Sequence, residues 1–465
     1  MSGQPFDEAF EAAGLPRPHY APLIGALERT DLGALREATE RRLETARVCF
    51  GEPGELLSLD PVPRLLLAAE WETISAGIVQ RARALERFLA DVYSEQRIVA
   101  AGLVPARVIE SSEHYEPAMR GAPVRRWISI VGFDLVRDPG GGFRVLEDQI
   151  RMPSGLAYAV AAREAMQGLL PLAAPEGGDR GAFAALGRAL RAAAAPGVAE
   201  PRVVVLSEGS EAAGWYEHER IARELGVAAV TPADIERHGL GVHARIDGKL
   251  QPVDVVYQRT DEDRFTKRGG RPTAAGATLL EPCHAGALAC VNAPGAGVAD
   301  DKLVHSYVET MIRHYLGEEP LLSSVESFDL SEPAQREAAL ADLERLVVKP
   351  RAEMGGEGVV ILSQAGAGET AEAHRALERS PGKLIAQECV QLSHHPTLCD
   401  GRLEPRHVDL RPYVICAPEG EWAFPGGLTR VALERGSLIV NSGRGGGVKD
   451  TWVLAEPLHR AGRSG

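Results

Sequence analysis

Apolar residues recur at three- and four-residue spacing in the first quarter of the chain, which is the periodicity of an amphipathic helix. The clearest stretches are residues 27–43 and 74–92. The pattern predicts a mainly helical region over residues 1–110. This region has no cluster of titratable groups, and Arg81 and Arg97 are its candidates for contact with a substrate.

The pattern changes to strands from residue 126 onward. Residues 127–137 and 143–149 are apolar-rich runs joined by Asp-Pro-Gly-Gly-Gly, which predicts a β-hairpin. Glu147 and Gln149 share one face of the second strand, and a tight hairpin places Asp134 opposite them. Two carboxylates and an amide oxygen suit Mg²⁺. Taken alone, the segment fits a solvated acidic face equally well.

A helix is predicted directly after this hairpin, over residues 156–167. Arg151 and Ser154 lie just before its start. Since the N-terminus of a helix presents free N–H groups and a positive dipole end, this position is a candidate anion site.

An α/β unit follows an Ala-, Gly- and Pro-rich connector at residues 168–200. Strands at 203–206, 227–230 and 253–257, with a helix at 215–225, predict an open Rossmann-like sheet that binds ligands at its strand ends. No G-x-G-x-x-G occurs, so a dinucleotide is not supported. Polar residues near those strand ends are candidate substrate contacts, although solvated surface positions explain them as well: Tyr216, Glu217, His218, Arg259 and Asp261.

Lysine is rare in this chain, with six lysines against 45 arginines. Where arginine is the usual cation, a lysine in a motif-like setting suggests a need for a compact ammonium group. Lys302, Lys349 and Lys449 have such settings, and chance placement on solvated faces is the alternative. Lys302 begins a helix predicted over 302–315, where an anionic ligand would offset its repulsion by the helix dipole.

A glycine-rich loop follows the apolar strand at residues 346–350, which ends in Lys349-Pro350. Its glycines include Gly355, Gly356 and Gly358. Glycine lets backbone N–H groups approach an anion closely, and lysine supplies a charge for phosphate oxygens. Any tight hairpin has the same outline, so the segment by itself leaves both interpretations open.

Further strands are predicted at residues 385–390 and 406–411. An adenine could be held between the strands 346–350 and 385–390 by backbone donors and acceptors. Arg411 and Arg430 follow, and residues 441–450 form a second glycine-rich segment that carries cations. The C-terminal part of the chain therefore gathers the groups expected of an anion site.

Composition restricts the class of protein. The chain has 465 residues, 45% hydrophobic and 25% charged, which is typical of a globular protein with several domains. A net charge of −14 argues against a nucleic-acid partner. No apolar run is long enough to span a membrane, and the acidic first residues do not resemble a signal peptide. Six cysteines without C-x-x-C spacing predict reduced thiols and a cytoplasmic location.

Taken together, the motifs resemble the circularly permuted ATP-grasp proteins (type 2) related to glutathionylspermidine synthase. In an ordinary ATP-grasp enzyme the acidic metal strand follows the lysine strand, whereas here Glu147-Asp148-Gln149 precedes Lys349. The resemblance extends over about residues 15–455. It rests on the following stretches: RVLEDQIRMPSGLAYAVAAR, VNAPGAGVADDKLVHSYV, PRHVDLRPYV, PGGLTRVAL and IVNSGRGGGVKDTWVL.

The resemblance implies a role for particular residues. It implies Asp134, Glu147 and Gln149 as Mg²⁺ ligands, with Gln149 in place of the family's Asn. It implies that Lys302 and Lys349 contact ATP phosphates. The glycine loop would cover the phosphates, and residues 387–390 would line the adenine site: Gly355, Gly356 and Gly358, with Gln387, Glu388 and Val390. The expected catalytic residues, which stabilise an acyl phosphate, are Arg411 and Arg430 together with Arg151.

The resemblance predicts an α/β (α+β) fold, a circularly permuted ATP-grasp with a helical N-terminal region and a Rossmann-like pre-ATP-grasp domain. The expected reaction joins a small-molecule or peptide carboxylate to an amine with ATP and Mg²⁺, through an acyl phosphate. The alternatives are a nucleotide-binding scaffold without turnover and a small-molecule phosphotransferase. The predicted divisions are 1–110 (helical), 111–200 (metal hairpin), 201–300 (Rossmann-like), 301–455 (lysine, glycine loop and core strands) and 456–465 (flexible tail).

Overall fold

The computed structural model describes residues 4–172, 174, 179–260, 265–267, 271–351 and 358–455. The helices are α1 (Ala21–Leu27), α2 (Leu32–Ala46), α3 (Ala68–Val92), α4 (Arg97–Ala100), α5 (Ala106–Glu110), α6 (Leu156–Met166), α7 (Asp179–Ala192), α8 (Trp215–Leu225), α9 (Ala274–His284), α10 (Lys302–His305), α11 (Val308–Met311), α12 (Pro333–Ala341) and α13 (Ala367–Arg379). Within the described ranges, no helix is both long and apolar enough to cross a membrane.

The strands form four sheets. They are β1 (Leu59–Leu67), β2 (Ile130–Arg137), β3 (Phe143–Gln149), β4 (Val203–Leu206), β5 (Ala228–Val230), β6 (Ile235–His238), β7 (Gly241–Ile246), β8 (Lys249–Val253), β9 (Val255–Gln258), β10 (Ala289–Val291), β11 (Ser327–Phe328), β12 (Leu346–Pro350), β13 (Val360–Ile361), β14 (Leu384–Glu388), β15 (His394–Cys399), β16 (Arg402–Arg411), β17 (Tyr413–Ala417), β18 (Gly420–Ala423), β19 (Leu428–Val431) and β20 (Gly447–Leu454).

The main sheet has nine strands. Its order is β1-β20-β19-β16-β2-β17-β18, with β15 paired to β16 and β3 paired to β2. The strand β1 lies inside the region predicted as mainly helical, where helical periodicity did not reveal it. Pro61 and Pro63 interrupt the strand pattern, and the register with β20 shifts between Asp60 and Arg64. Proline cannot donate to a ladder, so an edge position suits this strand.

The acidic hairpin forms as predicted, from β2 and β3. Asp134 is paired with Glu147 and Gly132 with Gln149. The register then shifts, because Leu135 is paired with Val145 and Leu146 is an extra residue on β3. Such a bulge redirects the neighbouring side chains, and bulges are frequent beside active sites.

The predicted α/β unit is a four-stranded parallel sheet in the order β10-β9-β4-β5. The helix α8 has the predicted bounds. A separate antiparallel sheet, β6-β7-β8, follows β5 along the chain. These observations agree with the mixed α/β fold class.

A smaller antiparallel sheet carries Lys349. Its order is β11-β14-β12-β13, and α12 and α13 pack against it. Its core is a separate apolar cluster that includes Leu346, Val348 and Ala386. Because β12 is central in this sheet, the backbone around Lys349 is fixed by partners on both sides.

The helix predicted over residues 302–315 is not continuous. It consists of α10, α11 and a π-helical turn at Ile312–Leu316. The break falls at Ser306, whose hydroxyl donates to the carbonyl of Leu303 at 2.6 Å and so competes with the helical ladder. Asp301 caps α10 by accepting from the Leu303 N–H at 2.9 Å. A four-residue helix has little dipole, so the expected repulsion of Lys302 is small.

The largest apolar core of the described residues draws on both ends of the chain, from Ala9 to Val291 and from Leu398 to Leu454. The first region also supplies β1 to the main sheet. The predicted division at residues 110, 200, 300 and 455 stays a prediction.

Candidate active site between two sheets

A cleft lies between the main sheet and the Lys349 sheet. Its open volume is about 460 Å³, which is in the range of small-molecule sites. Residues from distant parts of the chain line it. The predicted site residues on its wall are Asp134, Glu147, Gln149, Arg151, Lys302, Lys349, Gln387, Glu388, Val390, Arg411 and Arg430.

The acidic hairpin forms one wall of the cleft. The Asp134 carboxylate accepts two hydrogen bonds from Arg411, at 2.7 and 2.8 Å, and lies 2.9 Å from an Arg430 nitrogen. The Gln149 amide nitrogen lies 3.2 Å from Glu147 and 3.5 Å from Asp134. The three predicted metal ligands therefore converge, and the two predicted arginines lie directly against one of them.

Lys349 joins the two sheets. Its ammonium group lies 3.1 Å from Glu147 on the main sheet and donates to the Gln387 side-chain oxygen at 2.6 Å. Gln387 is itself fixed, because its amide nitrogen donates to the Leu146 carbonyl at 3.1 Å and to Ser327 at 3.0 Å. The bulge residue Leu146 thus helps to orient the group that holds Lys349.

The charges of the cleft walls are set by these pairs. Burial alone would raise the pKa of Glu147, but Lys349 and Lys302 hold that pKa well below its usual range. Burial likewise opposes ionisation of Asp134, and Arg411 and Arg430 lower its pKa. Both carboxylates are therefore ionised at neutral pH.

Two further carboxylates behave differently. Burial raises the pKa of Asp300, which lies on the cleft wall beside Lys302. Burial also raises the pKa of Asp409, although Arg430 hydrogen-bonds to it. The cleft thus has carboxylates whose pKa values are shifted in opposite directions, as functional sites commonly do.

The hairpin meets the chemical requirements of a magnesium site. Mg²⁺ prefers oxygen ligands, and it usually binds one or two carboxylates together with waters and phosphates. Asp134 and Glu147 are ionised and lie opposite each other, and Gln149 lies between them. These residues fit the ion by charge and donor type. Arg411 competes with such an ion for Asp134, because both carboxylate oxygens accept from its guanidinium.

The prediction of an adenine between the strands 346–350 and 385–390 is wrong, because these strands, β12 and β14, hydrogen-bond directly to each other. The residues predicted to line the adenine site lie on the cleft wall where β14 ends. The N–H of Glu388 donates to the Glu326 carbonyl and that of Cys389 to the Arg345 carbonyl, each at 2.8 Å. The Glu388 carboxylate pairs with Arg144 at 2.8 Å. Apolar side chains on the cleft wall nearby give it the character of a site for a flat aromatic ring. They are Val347, Val359, Ile361, Val390 and Leu392.

Arg151 lies at the edge of the cleft. One guanidinium nitrogen is 2.8 Å from His114, and another is 3.8 Å from Asp300. Arg151 also lines a smaller adjoining cavity with Glu116 and Asn292. It therefore lies between the cleft and a second polar space.

Some residues that were predicted to belong to the site do not lie on the cleft wall. Lys449 is completely buried, where it hydrogen-bonds to Asp60 and to the Pro396 carbonyl at 3.1 Å, so it does not face the cleft. Gly358, with φ +67°, packs against Pro350, since a Cβ there would meet the proline ring at 2.7 Å. Gly355, Gly356 and Asp261 lie outside the described residues.

The candidate anion site at the start of α6 is filled by the protein itself. The Glu217 carboxylate accepts from the N–H groups of Gly155, at 2.9 Å, and Ala157, at 3.0 Å. Arg259 pairs with the same carboxylate at 2.8 Å. His218 lies 2.8 Å from Ser207, and burial lowers its pKa to about 3. These candidate substrate contacts therefore have structural partners.

Several residues of the cleft were not predicted from the sequence. Tyr158 and Asp300 line the cleft, and Leu146 positions Gln387. Asp300 stands in the run Asp300-Asp301-Lys302, and such a charged run before a phosphate-type lysine is a usable signal. No local signal distinguishes Tyr158, which the packing of α6 brings to the cleft.

A solved structure has the same general fold. A glutathione synthetase-like effector from Globodera pallida, in its apo form, superimposes with a TM-score of 0.57 over 91% of this chain and 97% of that one, at 10% sequence identity. This likeness shows that the two chains share a fold.

The particular family follows from sequence. The family model described as circularly permuted ATP-grasp type 2 matches residues 63–432. The chain belongs to the circularly permuted ATP-grasp type 2 family.

Relatives occur in several bacteria. An uncharacterized protein of Synechocystis is 38% identical, covering 97% of both chains. An uncharacterized protein of Mycobacterium tuberculosis is 39% identical, over 98% of this chain and 85% of its own. A Frankia casuarinae protein with the name "Putative glutamate–cysteine ligase 2-2" is 41% identical over 96% of this chain and 53% of its own. This chain thus spans about half of that relative.

Proposed function

We propose that the protein is an ATP-dependent carboxylate–amine ligase that forms an amide or peptide bond through an acyl phosphate. One observation carries the proposal: Lys349, Lys302 and the carboxylates of Asp134 and Glu147 line one nucleotide-sized cleft between two sheets. Phosphoryl transfer requires mainly positioning and charge stabilisation, and this cleft offers both. Family membership supports the same class of reaction.

ATP is the phosphoryl donor in the proposed reaction. Lys302 and Lys349 bind its phosphate oxygens, and the adenine lies against the apolar wall near Val390. A substrate carboxylate oxygen attacks the γ-phosphorus, and ADP leaves. The positive charge of the two lysines stabilises the negative charge on the transferring group.

Arg411 and Arg430 act on the acyl phosphate. Both guanidinium groups pair with the Asp134 carboxylate, which positions them on the cleft wall. Planar, bidentate guanidinium groups suit carboxylate and phosphate oxygens. An amine then attacks the acyl carbon, phosphate leaves and the amine loses a proton.

Asp134, Glu147 and Gln149 would hold Mg²⁺. When bound, the ion supplies neutralisation of charge on the phosphate oxygens. The chain's own part is to keep both carboxylates ionised, through Lys349, Lys302 and the two arginines.

The substrates are a small-molecule or peptide carboxylate and an amine. The name of the Frankia relative belongs to a protein about twice as long, so it supports an amide-forming ligase without identifying the acid or the amine.

Calorimetric titration with ATP in the presence of Mg²⁺ tests the site. We expect Lys349→Ala and Glu147→Ala each to weaken ATP binding about tenfold or more, because in the proposed site Lys349 contacts the phosphates and Glu147 holds the Mg²⁺ that binds with them. Lys383→Ala is the matched control, since this lysine is exposed. Unchanged affinity in both site variants would contradict the assignment.

A second candidate function is nucleotide binding without turnover. Gln149 favours it, since the family pattern has Asn here, and the Gln149 amide nitrogen lies 3.2 Å from the Glu147 carboxylate. Phosphate release during incubation with amino acids, polyamines or peptides distinguishes the two candidates. A ligase releases phosphate only when both substrates are present, whereas a scaffold releases none.

A third candidate, a small-molecule phosphotransferase, would use the same ATP site. Mass spectrometry of the products separates it from the ligase. An amide product supports the ligase, whereas a stable phosphorylated product without an amide supports the phosphotransferase.

A further inference from the structure

His305 is a buried residue to which the proposed reaction assigns no role. It is 3% exposed, and its Nδ1 lies 2.7 Å from an Asp148 oxygen. Asp148 is held in turn by Arg81, through a hydrogen bond of 2.9 Å to the same oxygen. Arg81 and Asp148 therefore fix the orientation of the imidazole ring.

The other ring nitrogen has no partner. Nε2 of His305 is buried and makes no hydrogen bond within the described part of the chain. A buried polar atom without a partner costs free energy comparable to a lost hydrogen bond. A buried ring nitrogen of this kind is a candidate hydrogen-bonding partner for a ligand.

A small polar cavity adjoins His305. Its volume is about 10 Å³, which is room for a single oxygen-sized atom. We name this cavity the annex. It is lined by His305, Asp148 and Ile385. The other lining residues also line the cleft, and they are Leu146, Glu147, Asp300, Lys302, Lys349 and Gln387.

The annex lies at the phosphate end of the cleft. Lys302 and Lys349, the two proposed phosphate-binding lysines, are both on its wall. Lys302 lies one helical turn before His305, on α10. An atom in the annex is thus surrounded by the same cations as the proposed triphosphate.

We propose that His305 is a further nucleotide-binding residue, whose Nε2 donates a hydrogen bond to an oxygen of the β- or γ-phosphate of ATP placed in the annex. Both ring nitrogens of an imidazolium donate, so a ring that donates to Asp148 through Nδ1 can also donate through Nε2. Nδ1 lies 2.7 Å from Asp148 and 3.2 Å from an Arg81 nitrogen, so Nε2 is the ring nitrogen that remains for a ligand. This inference rests on the proposed ATP site and adds a third phosphate contact to it.

Two substitutions separate the two ring nitrogens. His305→Asn keeps an amide donor near the position of Nδ1, and so preserves the contact with Asp148, but it lacks the Nε2 position. His305→Gln places an amide near Nε2 and gives up the contact with Asp148. Thermal unfolding of both variants establishes that each is folded.

The measurement is calorimetric binding of ATP and of AMP to wild type and both variants. We expect His305→Asn to weaken ATP binding about tenfold or more while AMP binding changes little, because AMP has only one phosphate. His305→Gln should retain more of the preference for ATP. A purely structural role would instead lower both affinities together, or neither.

The possible outcomes distinguish a failure of the role of His305 from a failure of the proposed ATP site. If wild type binds neither nucleotide, the proposed ATP site is wrong and the role of His305 falls with it. If wild type binds ATP and His305→Asn keeps its full preference for ATP over AMP, the role of His305 alone is wrong.

Discussion

The three lysines predicted to have special surroundings occupy different environments in the structure. The rarity of lysine marked Lys302, Lys349 and Lys449 as positions that need a compact ammonium group. The first two line the cleft, whereas Lys449 is buried against Asp60. The sequence therefore located lysines with special surroundings. It could not separate a ligand-facing lysine from one in an internal ion pair, because that depends on the position of β1.

Removing the Lys449 charge tests its structural role. Lys449→Met leaves Asp60 buried without its ion-pair partner, and we expect a loss of about 3–5 kcal/mol in unfolding free energy. Urea denaturation followed by circular dichroism measures it. Lys249→Ala, at an exposed position, should change the stability by less than about 0.5 kcal/mol. Equal stabilities of Lys449→Met and wild type would refute the role.

Glu8 gives a prediction about acid stability. Although burial opposes ionisation, Arg64 and Arg137 lower its pKa to about 2. A carboxylate with a lowered pKa in the folded state contributes stability above its unfolded pKa of about 4.5 and loses it as the pH falls toward 2. The contribution is on the order of 3 kcal/mol.

Comparison with Glu8→Gln isolates this contribution. The variant cannot ionise, so we expect it to be less stable than wild type at pH 7, with a difference that shrinks as the pH falls below about 4.5. Urea denaturation between pH 7 and pH 3 measures the difference. A gap that stays constant with pH would argue against the Arg64 pairing as the source of stability.

At the scale of elements, the start of α6 shows how an anion site can be satisfied internally. The sequence correctly marked free N–H groups at this helix N-terminus. The anion is the carboxylate of Glu217, from α8, which Arg259 holds in place. The sequence at a helix N-terminus indicates that its free N–H groups need an acceptor, but it does not indicate which residue supplies one. Here the acceptor is Glu217, 60 positions from Ala157.

Gly155, which precedes α6, is tightly confined. Its φ is +111°, and a Cβ there would lie 2.2 Å from the Tyr413 hydroxyl. We expect Gly155→Ala to lower the unfolding free energy by about 3 kcal/mol, from backbone strain and steric overlap. Gly168→Ala is the control, because Gly168 also has positive φ but has no atom within 4 Å of the added Cβ, and should cost about 1 kcal/mol. Chemical denaturation of both variants compares them, and equal costs would leave backbone strain alone as the explanation.

At the scale of the whole molecule, the sequence predicted the parts better than their assembly. The β2–β3 hairpin, α8 and the strand of Lys349 follow from local periodicity and turn residues, and they formed where predicted. The predicted site residues on the cleft wall come from positions 134 to 430, and the fold brings them to one cleft. Their roles remain proposals.

Two features of the fold could not be predicted from local sequence patterns. The strand β1 contains two prolines and pairs with a segment nearly 400 residues away, so the local sequence does not predict it as a strand. The bulge at Leu146 changes which side chains face the cleft, yet it leaves no mark on the alternation of the sequence. Both are properties of pairing between strands rather than of either strand alone.

The pairing of β1 with β20 also sets an order of events during synthesis. Residues 59–67 leave the ribosome early, but the strand that hydrogen-bonds to them spans Gly447–Leu454. At ordinary elongation rates the interval between them is roughly 20–80 s. Throughout that time the early segment has no sheet to join, and its leucines need protection from aggregation. Completion of the main sheet therefore waits until β20 has been synthesised.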